Sequence, residues 1–543
     1  MSIDLGPIQF DEAKVLRQLR RDLADDWFPD PLRFEDLFDR GHVEQIIADN
    51  FQRNDGAFRA GRRTILNIPK GNFTLRYGLE TGLADRALYH ALTSYLVPFY
   101  DPLMPWNVFS HRAASGSAAD RYLFRRPVPA WQDFTGMVRN TLVEGSVLLS
   151  TDLTNYFENI DLNILRQTLE GLIPELAASP VEKGHIRAHI AALFECLTEW
   201  CFSERCGLPQ NRDASSFLAN VYMLPVDRAM IESGYQYFRY MDDIKIACGD
   251  RFTARQALKQ LSLHLRSRGL SVNSGKTTMP NSHEVTQIAE CLDAGQGELQ
   301  QIDAIWQTRS LRSISRSFPL LSELTQRKLR AGEVGSRTFR YCIRRLETLA
   351  SSPEFAVPPP YFAAITPLVI EALTAHPAAT DELARYIRAV PTSADDLNQV
   401  AALLQDDRRN FYTWQNYRLW QLLVQKEHRT EELLAYAATV VQEQPDNATR
   451  CGATLYLGAF GNDQQRALIA QRFRSLDSFI GQRAALIAVQ ELHFRPHIEE
   501  HVQPHLRDDL RNVYRGLGRA GRYMAPPEPR SITRIIDVDR DYD

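Results

Sequence analysis

Long apolar runs are missing from this chain. No stretch of about 18 apolar residues occurs among its 543, so no membrane-spanning helix is expected. The first residues are acidic and lack an apolar core segment, so no signal peptide is expected either. Cysteine is scarce: seven are present and none forms a C-x-x-C pair, which points to free thiols in a reducing cytoplasm. Cys196, Cys201 and Cys206 stand five apart behind His185 and His189. That spacing suits buried helical cysteine better than the tight knuckle of a zinc site. A net positive charge is also absent. The formal charge of −4 gives no overall attraction to nucleic acid. Its distribution is uneven, with a balance of −6 over residues 1–50 and +6 over residues 51–130. The length suits about two to four domains and a large core.

The most informative residues that are present are Tyr240-Met241-Asp242-Asp243. Two adjacent acids lie between the apolar-rich runs Tyr235–Tyr240 and Ile244–Cys248, which reads as the tip of a β-hairpin. Carboxylates so placed repel one another unless a cation intervenes, and hard divalent ions prefer oxygen ligands. Asp-Asp is also an ordinary turn dipeptide, so the pair needs company before it carries chemistry. Upstream, Val147–Leu149 reads as a short buried strand with Asp152 at its end, followed by a turn over Thr154–Ile160 into a helix. Asp152 suits a metal ligand that joins Asp242 and Asp243 in a three-carboxylate site. It also suits a helix N-cap. Gly207-Leu208-Pro209-Gln210 punctuates a loop before a helix that runs to Asp227, with small residues Ala214, Ser215 and Ser216 at its start. About 30 residues after the acid pair, Asn273-Ser274-Gly275-Lys276-Thr277 places a lysine in a turn.

In this order the elements resemble the palm of a reverse transcriptase. Asp152 with Tyr156-Phe157 is similar to motif A, Gly207–Asn220 to motif B, Tyr240–Asp243 to the YMDD box of motif C, and Asn273–Thr277 to motif D. Ile68-Pro69-Lys70 with Arg76 resembles the fingers of bacterial members, and Arg112 and Trp131-Gln132-Asp133-Phe134 extend the likeness. The resemblance spans roughly residues 60–290. It implies a right-hand polymerase of α+β class, with fingers, palm and helical thumb, that uses deoxynucleoside triphosphates.

By that resemblance Asp152, Asp242 and Asp243 hold two Mg²⁺ ions, for which Mn²⁺ can substitute. Lys70 and Arg76 bind the triphosphate, one as a point charge and one as a fork. Gln210 sits by the nascent base pair, Lys276 protonates pyrophosphate, and Arg112 contacts nucleic acid. Phe157, five residues after the motif A acid, lies beneath the sugar C2′, where a ring excludes a 2′-hydroxyl. One departure stands out: Asn211-Arg212-Asp213 replaces the usual Gly-Ser-Pro after the motif B loop, which puts templating in doubt.

Beyond residue 300 helix-length apolar patterns alternate with short breaks. Arg385, Arg418, Arg450, Arg483 and Arg515 recur every 32–33 residues, as in a HEAT-like array of two helices per unit. Salt bridging within the repeats is the favoured use of these arginines, over a nucleic-acid ladder. The expected layout is a helical extension over 1–50, fingers and palm over 51–290, a thumb over 291–354, an α-helical repeat domain over 355–523 and a disordered tail over 524–543. A palm joined to helical repeats resembles the abortive-infection and unknown-group bacterial reverse transcriptases of antiphage defence. The likeness implies a homo-oligomer, no membrane, a DNA product, and in some members synthesis without a template from a protein hydroxyl. Ser531, Tyr542, Tyr412, Tyr417 and Tyr456 are the candidate primers. Two alternatives remain: a templated enzyme copying a noncoding or retroelement RNA, and a decayed palm that serves as a nucleic-acid-binding scaffold.

Overall fold

The computed structural model describes residues 2–5, 8–24, 26–35, 47–48, 50, 58–116, 119, 122–292, 297–355, 360–493, 495–511, 521–527 and 532. At the N-terminus β1 (Ser2–Leu5) and β2 (Ile8–Asp11) form an antiparallel pair before α1 (Glu12–Ala24). The extension is therefore not purely helical as expected. Ile8 and Phe10 alternate with Gln9 and Asp11, a period of two that buries one face of a strand. The fingers hairpin pairs β3 (Thr64–Pro69) with β4 (Leu75–Glu80) around a tight turn at Gly71–Phe73. Helices α2 (Leu83–Tyr100) and α3 (Pro127–Thr141) follow.

The palm is a three-stranded antiparallel sheet of β5 (Val147–Asp152) with two later strands. Between them run α4 (Leu162–Leu172), α5 (Pro180–Trp200) and α6 (Asp213–Glu232). Then β6 (Gln236–Tyr240) and β7 (Asp243–Cys248) form the hairpin, and α7 (Arg251–Arg266) closes the unit. The sheet order is β5-β7-β6, with β7 central. Apolar residues fill both faces. Leu148 and Phe238 pack with Phe134 and Val138 of α3, whereas Leu149, Ile244 and Ile246 join the main core. A strand buried on both sides reads as a continuous apolar run, which is what Val147–Leu149 is.

Four helices, Gly297–Gln307, Leu311–Arg316, Phe318–Arg330 and Arg337–Ser351, follow the palm. The C-terminal region is helical. Thr380–Ala389, Thr413–Gln425, Ala448–Phe460 and Phe479–Ala488 are successive neighbours in one layer, and each carries one of the recurring arginines. Glycine allows two of these approaches. A Cβ on Gly452 would lie 2.7 Å from Trp420, and one on Gly458 would lie 2.4 Å from the Cα of Ala488.

Arg385 and Arg418 pair with Asp381. Arg450 donates to Ser475 at 2.9 Å. Arg483 instead leaves the array and forms a buried fork with Asp30 of the N-terminal segment. Arg515 lies outside the described residues. The tail also differs from expectation where it is described. Ala525 is buried and donates to the Pro31 carbonyl at 2.7 Å, and Ile532 is buried too. Both are apolar and find a wall to cover. No helix among the described residues is long and apolar enough to cross a membrane.

Candidate active site

The sheet register brings the acids together. Asp152 ends β5 directly opposite Asp243 at the start of β7. Asp242 occupies the two-residue turn before it, where Met241 takes a positive φ of 57°. Turns of this mirror-image kind match the twist of the strands they join. The turn is held from below by Arg239, which is fully buried on β6. Its guanidinium forks onto Asp227 of α6 at 2.7 and 2.8 Å, and donates to Asn220 at 2.8 Å and to the Met241 carbonyl at 2.9 Å. One arginine thus ties the hairpin tip to the motif B helix.

Asp242 is half-buried, and desolvation is the main cause that pushes its carboxyl up to about 7. The charge of Asp152 and a hydrogen bond with it act next in the same direction, and Asp243 adds to them. Lys276 supplies a cation: its Nζ lies 2.6 Å from Asp152 Oδ2. The Asn273 side chain accepts from the Gly275 amide and shapes that turn, while the Asn273 amide bonds the Asp152 carbonyl at 2.7 Å. The Lys276 ammonium is raised, chiefly by its hydrogen bond to Asp152.

The expected cluster of three carboxylates is a facing pair with a neighbour turned aside. Asp243 Oδ1 lies 2.6 Å from Lys245 Nζ, which also donates to Ser150 at 2.8 Å. Residues 243 and 245 share one face of the strand, so the buried lysine draws the acid to itself. Accordingly, no group of three His, Cys, Asp or Glu side chains gathers in a metal-holding arrangement among the described residues. Strand alternation was the available signal for Lys245, and none marked Arg239.

Phe157 is half-buried against the main core, with its ring 5.4 Å from that of Tyr156. Its carbonyl accepts from Leu208 at 3.0 Å and Ile160 accepts from Gly207 at 3.0 Å, so the motif B loop is stitched onto the motif A turn. Gly207 has φ 101°, and a Cβ there would meet Phe202 at 2.7 Å and the Tyr77 hydroxyl at 2.8 Å. Gln210 also faces Tyr77. Lys70 closes the fingertip through its amide, which bonds the Thr74 carbonyl at 2.7 Å. Arg76 lies with its guanidinium 5.3 Å from the Trp27 ring. Burial lowers Arg76, and the negative charges of Asp242 and Glu158 oppose that shift, so this arginine faces the acids.

Two expectations change. Arg112 is a structural strut. It pairs with Asp101 at 2.8 Å and donates to the Pro105 and Val108 carbonyls at 2.8 and 2.9 Å, which leaves its donors committed within its own loop. The charged residues after Gln210 turn inward. Arg212 is buried between Glu80 and Asp26, at 3.3 and 3.8 Å. Asp213 accepts from Gln18 and His111. Burial works against the Asp213 carboxylate, but the His111 hydrogen bond and charge hold it down at about 2.

Of the candidate primers, Tyr412, Tyr417 and Tyr456 are buried. The last two donate to the Pro29 and His428 carbonyls. Ser531 and Tyr542 lie outside the described residues.

Sheet, hairpin and surrounding helices define a polymerase palm followed by a helical region. Residues 86–292 match the family described as reverse transcriptase (RNA-dependent DNA polymerase), so the chain carries a reverse-transcriptase domain of nucleotidyl-polymerase type. The chain is also similar to telomerase from Candida albicans in complex with a fragment of telomeric RNA, at 11% identity, covering 74% of this chain and 68% of that one with a TM-score of 0.30. Apo telomerase from Candida tropicalis gives 11% identity, 75% and 67% coverage and the same TM-score of 0.30. No curated protein matches the chain.

Proposed function

We propose that this protein is a metal-dependent DNA polymerase of reverse-transcriptase type that acts in antiphage defence in the cytoplasm, as a homo-oligomer. The observation that carries the enzymatic reading is the facing pair Asp152 and Asp242, with one carboxyl held near pH 7. A paired site of this kind, with a lysine already drawn to it, fits divalent cations. Asp152 and Asp242 would hold them, with Asp243 released from Lys245 as a third ligand. Bound Mg²⁺, or Mn²⁺ in its place, supplies charge neutralisation at the primer hydroxyl and at the leaving pyrophosphate.

The chain's own side chains do the rest. Arg76 and Lys70 hold the triphosphate, and Lys276 Nζ donates a proton to pyrophosphate. Phe157 lies beneath the sugar and excludes a 2′-hydroxyl, while Gln210 borders the base pair. The antiphage role rests on likeness to the abortive-infection group.

A second reading, templated copying of RNA, gains support from the loop. Arg212 and Asp213 are spent on inward ion pairs, so their charge does not enter the template path. Purified protein with Mg²⁺ and deoxynucleotides, with and without an annealed primer–template, separates the two. Product of defined sequence only with template supports copying, whereas product without nucleic acid supports untemplated synthesis. An inert protein under both conditions sinks the enzyme. Replacement of Phe157 by Ala should admit ribonucleotides, raising their incorporation at least about tenfold.

A further inference from the structure

The fingertip does not stand clear of the helices that follow the palm. Strand β3 and the turn Gly71–Phe73 both lie against the short turn Pro377–Ala379. His376 stands just before that turn, and a Cβ on Gly332 would lie 3.8 Å from its ring. Gly332 belongs to the link between the helices Phe318–Arg330 and Arg337–Ser351. The fingertip and this link therefore share one corner of the molecule.

Arg340 stands in the first turn of the second helix. It is exposed and bends back toward the link, donating to the Gly335 carbonyl at 3.0 Å. Its position on the fingers side has an electrostatic trace. Burial is the main cause that lowers Arg76, Asp242 and Glu158 oppose it, and the charge of Arg340 adds to the lowering. A like charge acts in this way only from close by. Among the described residues no carboxylate pairs with either arginine. Two guanidinium groups from different elements, neither matched by an acid, repel each other until an anion is shared between them. Planar forks suit phosphate oxygens, and Arg76 already faces the acids where a nucleotide's reacting end belongs.

We propose that Arg340 is a further nucleotide-binding residue, which holds the triphosphate of the incoming deoxynucleotide together with Arg76. The helical region thereby completes the nucleotide site, an inference that rests on the polymerase reading of the palm.

Calorimetric titration of the full chain with Mg²⁺ and the α,β-imido analogue of dATP, which cannot transfer its nucleotidyl group, tests the proposal. The native chain should bind the analogue saturably. Arg340→Gln should weaken that binding at least about tenfold, the worth of a charge-assisted hydrogen bond. Arg340→Lys keeps the charge without the fork and should fall between the two. dAMP, which lacks the outer phosphates, should bind native and variant chains alike. Because Arg340 is exposed, both variants should keep the native melting temperature. Equal analogue affinity in native and Arg340→Gln chains overturns the role of Arg340 and leaves the palm a nucleotide site. A native chain that binds no analogue sinks that wider reading and the proposal with it. Equal losses of dAMP and analogue also overturn it, since the pocket rather than a phosphate contact is then at fault. A variant that keeps the analogue but loses a short single-stranded DNA overturns it in favour of a strand.

Discussion

Two groups of charge in this molecule are built in opposite ways. In the first, Asp26 and Glu80 face the guanidinium groups of Arg86 and Arg212. In the second, Asp152 and Asp242 face each other. Burial raises a carboxyl in both places, so the partner decides the outcome. Asp26 overcomes its burial because two arginines act on it, and it ends below the usual carboxylate range. Asp242 has another acid instead and ends near 7. Glu80 shows that even the paired group is uneven: burial and the charge of Asp26 push it up despite Arg86. The paired group answers its own charge and holds the N-terminal segment, the fingers and the motif B loop together. In the facing pair Lys276 answers Asp152, while Asp242 has another acid for its neighbour, which is the condition for holding a further cation.

The largest effects should separate the two groups. Asp242→Asn should cut nucleotide incorporation by about a thousandfold, the worth of several kcal/mol of charge stabilisation in the transition state. It should leave the melting temperature of metal-free protein unchanged or higher, since a repulsive neighbour is removed. Asp26→Asn should do the reverse. Breaking a buried pair and stranding its partners costs about 3–5 kcal/mol. The midpoint of denaturant unfolding should fall while folded molecules retain incorporation. Similar outcomes for the two variants would erase the distinction.

The pH dependence sharpens it. A carboxyl whose folded value is raised keeps its proton in the native state after the unfolded chain has lost it. Its stabilising contribution is fully present below the unfolded value of 3.8 and is lost as pH rises toward about 7. Metal-free melting curves from pH 4 to 8 should therefore fall more steeply for the native sequence than for Asp242→Asn. Added Mg²⁺ should restore stability mostly at the upper end, because a proton and a metal compete for the same oxygens below about pH 7. Parallel curves for the two proteins would mean that Asp242 titrates normally.

How much of this was legible follows from the range of each interaction. The hairpin tip at Met241-Asp242 and the apolar strand ending at Asp152 are local patterns, and the palm's element order could be read from them. The helical character of the C-terminal region was legible for the same reason. Arg239 was not, because in Gln236–Tyr240 it occupies an ordinary alternating position. Its buried partners, Asp227 and Asn220, come from a different element. The inward turn of Arg212 was hidden likewise: its acids lie on the fingers strand and in the N-terminal segment. The fork from Arg483 to Asp30 spans 453 residues, and no periodicity announces a contact between such distant segments.

That long-range segment supplies the smallest of the effects. Residues 26–30 touch both the array and the fingers hairpin. Trp414 Nε1 donates to the Trp27 carbonyl at 2.8 Å, and Tyr417 and Gln421 donate to that of Pro29 at 3.0 and 3.1 Å. On the other side the Trp27 ring faces Arg76, while Gly78 leaves room for it, since a Cβ there would lie 3.1 Å from the indole. Trp414→Phe removes one neutral hydrogen bond, worth about 1 kcal/mol, far from the acids. If the array sets the position of Trp27, and Trp27 that of Arg76, the KM for deoxynucleotides should rise about two- to fivefold with kcat little changed. Arg76→Ala should raise KM much further. A Trp414→Phe enzyme with native KM beside an impaired Arg76→Ala would show that the array grips the N-terminal segment without steering the nucleotide site.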